Sequence, residues 1–592
     1  MSTTLSHEEV HWNLADLLDG GGPERVDALL DEALERAGRF AERYRGTLDT
    51  IDSSGLVEAM TELGAIYELA GRAGSYAGLS FATDTADPER GALMQRAQER
   101  GTALETLLVF FDLEWAALDD ERATALLEGD GLDFCRHHLR TARRYRPHLL
   151  SEPEELILTE KALSSRSAWT RLFEEQTAAI EVELDGPQTL DVALSRLQAP
   201  SREVRRDAAD AVTRALEPGL RTRAYIFNTL LADKATDDRL RSYPSWLAAR
   251  NLANEASDES VAALIAAVRN RYELPRRWYR LKAKLLGIDR LADYDRVAPL
   301  SSDEVEVPWA QARDLVLEVY TAFSPRVGDI VERFFDEQWI DAPPAPGKRG
   351  GAFCAGTVPS VHPYVLLNYT SRRRDVLTLA HELGHGIHDA LMARQGIFHY
   401  GTPLTLAETA SVFGETLTFG RLLEVSPSPE ARLGLLAENI EDAIATVFRQ
   451  VAMNQFEDRV HTERREAGEL SVARFGELWA ESQSDLLGDA VELSEGYHTW
   501  WSYIPHFIGS PGYVYAYAYG QLLALSVYER YLEAGAGFEE QIIELLASGS
   551  SRSPEELGML VGVDLSDPGF WDRGLDLFER RLSEAEAAAG AP

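Results

Sequence analysis

Along most of the chain apolar residues recur every three to four positions, the spacing that gives an α-helix one buried stripe. Between Pro23 and Gly46, for example, Val26, Leu29, Leu30, Ala33, Leu34, Ala37 and Phe40 share a stripe that follows a Gly-Gly-Gly-Pro break. Two stretches depart from this period. "IEVELDG" at 180–186 alternates like a strand entering a turn, and "HPYVLLNYT" at 362–370 reads as a strand. The pattern therefore predicts a mainly α protein with a small β-sheet beside a histidine-rich helix. Pro200 followed by Ser201, a good helix cap, marks the expected junction between an N-terminal helical region, 1–200, and a second region, 201–585. "DAPPAPGKRGGAF" at 341–353 is a Pro/Gly-rich loop just ahead of the predicted sheet, and loops of this kind often carry function.

Composition narrows the partners. With 59 basic against 97 acidic residues the formal net charge is -38, and that field repels phosphate backbones, so nucleic acid is not expected as a partner. Cys135 and Cys354 are the only cysteines in 592 residues, too few for a disulfide framework and without thiolate metal spacing. The chain opens without a basic-then-apolar leader and contains no run of about 18 apolar residues, so a soluble, cytoplasmic protein without a membrane partner is expected.

The chemistry concentrates in "LTLAHELGHGIHDALMARQ" at 377–395. A helix here turns Leu377, Ala380, Leu383, Gly384, Ile387 and Leu391 toward packing and sets His381 and His385 one turn apart on a common face, where two imidazoles converge on one ion. Glu382 is rotated by about 100° from His381 and reaches a water on that ion without being a ligand. This is the H-E-x-x-H arrangement of zinc hydrolases. Catalytic zinc takes three protein ligands and keeps a fourth position for water. A third histidine six residues after the second is ruled out, because Leu391 stands there. A glutamate from a following helix remains, and "TLAETASVFGETLTFGRLL" at 405–423 offers Glu408 and Glu415, seven residues apart on one face. Spacing does not choose between them. His388 reads as a packing or hydrogen-bonded histidine; Asp389 and the "SRRRD" cluster at 371–375 read as helix-start electrostatics and solvated surface.

Taken together with "WNLADLL" at 12–18, "SFATDTADPERGALMQRAQ" at 80–98, "LADKATDDRLRSYPSWLAARNLAN" at 231–254, "LAETASVFGE" and "WSYIPHFIGSPGYVYAYAYG", the motifs occur in the order of the oligoendopeptidase F family, which this chain resembles over nearly its whole length. The resemblance implies a two-lobed helical body with a deep central channel, one Zn2+ at its floor, and access for unstructured oligopeptide substrates only. It implies His381, His385 and Glu408 as metal ligands, with Glu415 behind them. Region 201–585 would then be the catalytic one. His506 and Tyr513 would donate to the tetrahedral oxyanion, and Tyr517 would contact the peptide; Gly351, in the Gly-rich segment 348–356, is expected to contact it on the reading of that segment alone. Read from the residues alone, Tyr513, Tyr515, Tyr517 and Tyr519 alternate like a strand with one aromatic face.

The expected reaction is hydrolysis of internal peptide bonds, with Glu382 taking the proton of a metal-activated water and passing it to the leaving nitrogen. The strand at 362–370 or the segment 348–356 could pair with an extended peptide backbone. Two other readings compete: an aminopeptidase, for which no G-x-M-E-N-like anchor is present, and a helical peptide-binding protein without turnover. Oligomeric state is left open, and a His2Glu site accepts divalent ions other than zinc.

Overall fold

The computed structural model describes residues 6–162, 164–300, 306–426, 428–535, 537–565, 567 and 569–590. It is mainly α-helical, with only short strands. The chain divides into two compact units. The first is made of Met1–Leu149, Glu304–Leu422 and Arg530–Asp564, and the second of Leu150–Asp303, Leu423–Glu529 and Leu565–Pro592. Among the described residues no helix is long and apolar enough to cross a membrane.

In the first unit the stripe read from the sequence lies on the helix Glu24–Tyr44, where Val26, Leu29, Leu30, Ala33, Ala37 and Phe40 are all buried. Ala33, Ala37 and Phe40 join Leu56, Leu63, Phe110, Phe111 and Trp115 of the helices Ser53–Thr83 and Pro88–Ala117 in an aromatic-rich core, while Val26, Leu29 and Leu30 pack in a second cluster with Ala73, Leu79 and Leu93 of the same two helices. Each large side chain withdrawn from water there contributes about 1.5–3 kcal/mol.

The predicted sheet has three strands in the order Ile340–Asp341, Tyr364–Leu366, Phe353–Ala355, the first pair parallel and the second antiparallel. The stretch read as a strand over 362–370 is one only at Tyr364–Leu366, which is fully buried. Beyond it the Leu367 and Tyr369 N–H groups still donate to the Asp341 and Ala342 carbonyls at 2.8 and 2.9 Å, and side chains add further contacts on both flanks. His362 stacks on Trp339 at 4.1 Å, and Asn368 Nδ2 donates to the carbonyls of Arg349 and Gly351 at 3.0 and 2.8 Å. Lys348 holds the Gly-rich loop down, donating to Asp341 Oδ1 at 2.5 Å and to the Pro343 carbonyl at 2.6 Å. Phe353–Ala355 forms one of the two edge strands, beyond this loop.

In the second unit the "IEVELDG" stretch forms an antiparallel hairpin, Glu181–Glu183 against Pro187–Thr189, turning through Asp185 and Gly186 at positive φ. Ser201 caps the helix Arg202–Leu216, accepting from the Val204 N–H at 3.5 Å. The tyrosine alternation is not a strand. Tyr515–Ala534 is a helix with Tyr515 and Tyr519 fully buried one turn apart, while Tyr517 and Tyr513, the latter just ahead of the helix, stay partly exposed. A period of two is ambiguous here because every second pair is also spaced i, i+4, and the small Ala516 and Ala518 let the helix pack closely.

Candidate metal centre

The helix Arg373–Met392 starts where Asp375 gathers three donors: the backbone N–H groups of Thr370 and Arg372, at 2.7 and 3.0 Å, and the Thr370 hydroxyl at 2.9 Å. An acid in the first turn suits the positive end of the helix. Val376, Leu379, Leu383 and Ile387 bury one side, and Leu377 stays partly exposed because the stripe is rotated slightly from the one read in the sequence.

Glycine sets how close the next helix, Leu404–Glu424, comes. A Cβ on Gly384 would lie 2.5 Å from Ser411 Cα and 2.6 Å from the Ala410 carbonyl oxygen, so only a bare backbone fits at that crossing. Tyr320 ties the same region together, its hydroxyl donating to the Ala380 carbonyl at 2.6 Å. Gly384→Ala should therefore destabilise the fold by about 1–3 kcal/mol through overpacking. Urea unfolding measures it, and an unchanged midpoint would mean the helices do not depend on this contact.

The close crossing brings the acids to the imidazoles. One nitrogen or oxygen from each of His381, His385 and Glu408 lies within 4.8 Å of the others. Glu408 Oε2 stands 3.3 Å from His381 Nε2 and 3.5 Å from His385 Nε2, and it also accepts from the Ser411 hydroxyl at 2.8 Å. Glu415 faces the other side of His381, with Oε2 3.0 Å from Nδ1. Were Nδ1 to donate to Glu415, the Nε2 lone pair would be left toward Glu408.

Electrostatics agree with a cation site. Burial opposes charge on His381, yet its hydrogen bonds to Glu408 and Glu415 raise it well above the ordinary histidine value. Burial would raise Glu408, but the two histidines and Ser411 bring it down to about 2. His385 is lowered by burial to about 4. The cluster thus combines two imidazoles with an excess of carboxylate charge, a donor set suited to a divalent ion such as zinc.

Glu382 is 7% exposed and is not in that ligand group. Burial pushes its carboxyl up to about 7, against the His381 charge and with the charges of Glu408 and Glu415 adding to the rise, while the Cys354 backbone N–H donates to it. His388 is buried, which lowers it to about 3.

Asp389 corrects an expectation. It is not solvated surface: burial pushes its carboxyl up to about 7, and it accepts from Cys354 Sγ at 3.7 Å. Sequence reasoning also missed the Cys354 N–H and Ser411. Ser411 was findable as the i+3 neighbour of Glu408, whereas Cys354 reaches Glu382 and Asp389 only through the tertiary fold.

Of the remaining expected site residues, Gly351 lies in the first unit at φ +80°, its carbonyl held by Asn368. His506, Tyr513 and Tyr517 lie in the second unit and are brought together there. His506 Nε2 is 3.3 Å from the Tyr517 hydroxyl, and the Tyr513 ring lies 6.0 Å from His506 and 5.0 Å from Tyr517. Burial lowers the His506 imidazole, and the Arg449 charge adds to that.

Comparison with known proteins decides the family. The pattern of Peptidase family M3 matches residues 195–577, more than half of the chain, and that of Oligopeptidase F matches residues 114–181. The chain belongs to Peptidase family M3. This M3 peptidase is similar to Oligopeptidase PepF of Bacillus subtilis (strain 168), 26% identical over 92% of this chain and 82% of that protein. It is also similar to the Oligoendopeptidase F homolog of Lactococcus lactis subsp. lactis (strain IL1403), 28% identical over 86% of each. Among solved structures it shares its fold with a putative peptidase from Chlamydophila abortus, with TM-score 0.85 and 24% identity over 99% of this chain and 100% of the other. The oligoendopeptidase-F from Enterococcus faecium gives TM-score 0.71 and 22% identity over 96% and 100%. As a family member this M3 peptidase is a metalloendopeptidase that acts on oligopeptides.

Proposed function

We propose that His381, His385 and Glu408 hold one zinc ion and that Glu382 serves as general base in hydrolysing internal bonds of short, unstructured oligopeptides. The observation that carries this reading is the convergence of three ligand atoms within 4.8 Å beside a buried carboxyl that is not one of them. A divalent ion held by these three residues would supply Lewis acidity toward the scissile carbonyl and a water. Glu382 then accepts the water proton at its carboxylate and passes it to the departing nitrogen; the Cys354 N–H fixes the carboxylate for both transfers. Glu415 orients His381 through Nδ1. His506 and the Tyr513 hydroxyl donate to the oxyanion, each such donor being worth about 3–4 kcal/mol in the transition state. Tyr517 and Gly351 contact the peptide, and the Phe353–Ala355 strand pairs with its backbone, which gives broad sequence tolerance.

The test is an internally quenched peptide blocked at its N-terminus, incubated with the purified chain with and without a zinc chelator. Cleavage at an internal bond, lost on chelation and restored by added zinc, is expected. Cleavage only of peptides with a free amino terminus would indicate an aminopeptidase, and chelator-insensitive cleavage would sink the metal assignment.

A further inference from the structure

The loop that presents Tyr513 is a tight turn. The Tyr513 N–H donates to the Ser510 carbonyl at 3.1 Å, with Pro511 and Gly512 at the two central positions and Gly512 at φ +72°. This Pro-Gly pair suits a type II turn. A Cβ on Gly512 would lie 2.6 Å from Leu247 Cδ1 and 3.3 Å from the Trp246 ring, so the turn is seated against that wall with no room to spare.

Behind the turn stands Glu457, on the helix Arg449–Ala467, with no exposed surface. Its Oε1 accepts from the Gly512 N–H at 2.8 Å, while Oε2 has no partner among the described residues. Beside it on the helix stand the apolar Met453, Phe456 and Val460 together with the buried polar Asn454 and His461. Burying a carboxyl is costly unless it is hydrogen-bonded or neutral. Burial pushes Glu457 up to about 8, against the Gly512 hydrogen bond and the Arg250 charge. A hydrocarbon side chain of this size would pack there without that penalty. What the carboxyl supplies is an acceptor for the one turn N–H that faces it.

We propose that Glu457 is a positioning residue: its buried carboxyl fixes the Ser510–Tyr513 turn through the Gly512 N–H and thereby sets the Tyr513 phenol for the reaction. This rests on the reading of Tyr513 as a donor to the oxyanion. The Tyr513 ring is otherwise steadied by Tyr517 at 5.0 Å and by the Arg250 guanidinium 5.9 Å from its centroid. Arg250 Nε also donates to the Pro511 carbonyl at 3.5 Å, a longer contact to the turn than the 2.8 Å bond by which Glu457 holds the Gly512 N–H.

The test measures kcat and KM on the quenched peptide for full-length wild type, Glu457→Gln, Glu457→Leu, Tyr513→Phe and the Glu457→Leu/Tyr513→Phe double variant, each with a thermal melt. Gln keeps the acceptor, so Glu457→Gln should stay within about threefold of wild type, while Glu457→Leu should lose about ten- to thirtyfold in kcat with KM within about threefold. Because both changes act on one group, the double variant should be no worse than Tyr513→Phe by more than about threefold. If Glu457→Leu does not fold, Gly512→Ala displaces the same turn and should reproduce the kcat loss and its non-additivity. An impaired Tyr513→Phe beside an unaffected Glu457→Leu overturns the proposal alone. So do independent, multiplying losses in the double variant, or a Gln variant as impaired as the Leu variant. A fully active Tyr513→Phe overturns the role of Tyr513 and this proposal with it.

Discussion

Glu382→Gln is expected to reduce peptide cleavage by about a hundred- to ten-thousandfold while the protein keeps its full complement of metal. The carboxyl lies outside the cluster of His381, His385 and Glu408, so its loss leaves the ligands intact. Gln is nearly isosteric and still offers an oxygen to the Cys354 N–H, so the helix and the outer strand keep their contact. What disappears is a group able to carry a proton between water and the leaving amine. Kinetics paired with metal analysis on one preparation reads both halves. Turnover near the wild-type rate would remove Glu382 from the role of base.

Glu408→Ala is expected to strip the metal, and Glu415→Ala to weaken it less. Glu408 Oε2 faces the Nε2 atoms of both histidines, at 3.3 and 3.5 Å, whereas Glu415 meets only His381 Nδ1. Losing a residue that orients a ligand typically lowers metal affinity by about 10–100-fold, and losing a ligand should lower it further. Dialysis against buffered zinc followed by metal analysis ranks the two variants. The reverse order would exchange the parts given to the two glutamates.

The sequence exposed those features whose geometry is local. His381, Glu382 and His385 lie within one helical turn and a residue, so their relation to one another follows from 3.6 residues per turn alone. The stripe from Val26 to Phe40 was legible for the same reason. Glu408 and Glu415 were legible as candidates but equivalent, because seven residues return to the same face; only the crossing at Gly384 shows which imidazole nitrogen each one meets. Asp389 looks like surface in the sequence because nothing near it along the chain covers it; its partner, Cys354, comes from a strand 35 residues earlier. Glu457 was invisible for a similar reason, since its partner Gly512 is 55 residues away. The tyrosines at 513–519 failed differently: their spacing satisfies a strand and a helix equally, and packing of Tyr515 and Tyr519 decided for the helix. Each unit is assembled from three separated stretches, an arrangement that no local pattern reports.

On the proposed reading one divalent ion, held by His381, His385 and Glu408, is needed for cleavage. That requirement is tested most directly by titrating zinc back into the metal-stripped protein while following hydrolysis of the blocked, quenched peptide. No cleavage is expected at the start, followed by a linear recovery that saturates at one ion per chain. Cleavage by the stripped protein, or recovery that requires a different stoichiometry, would contradict it.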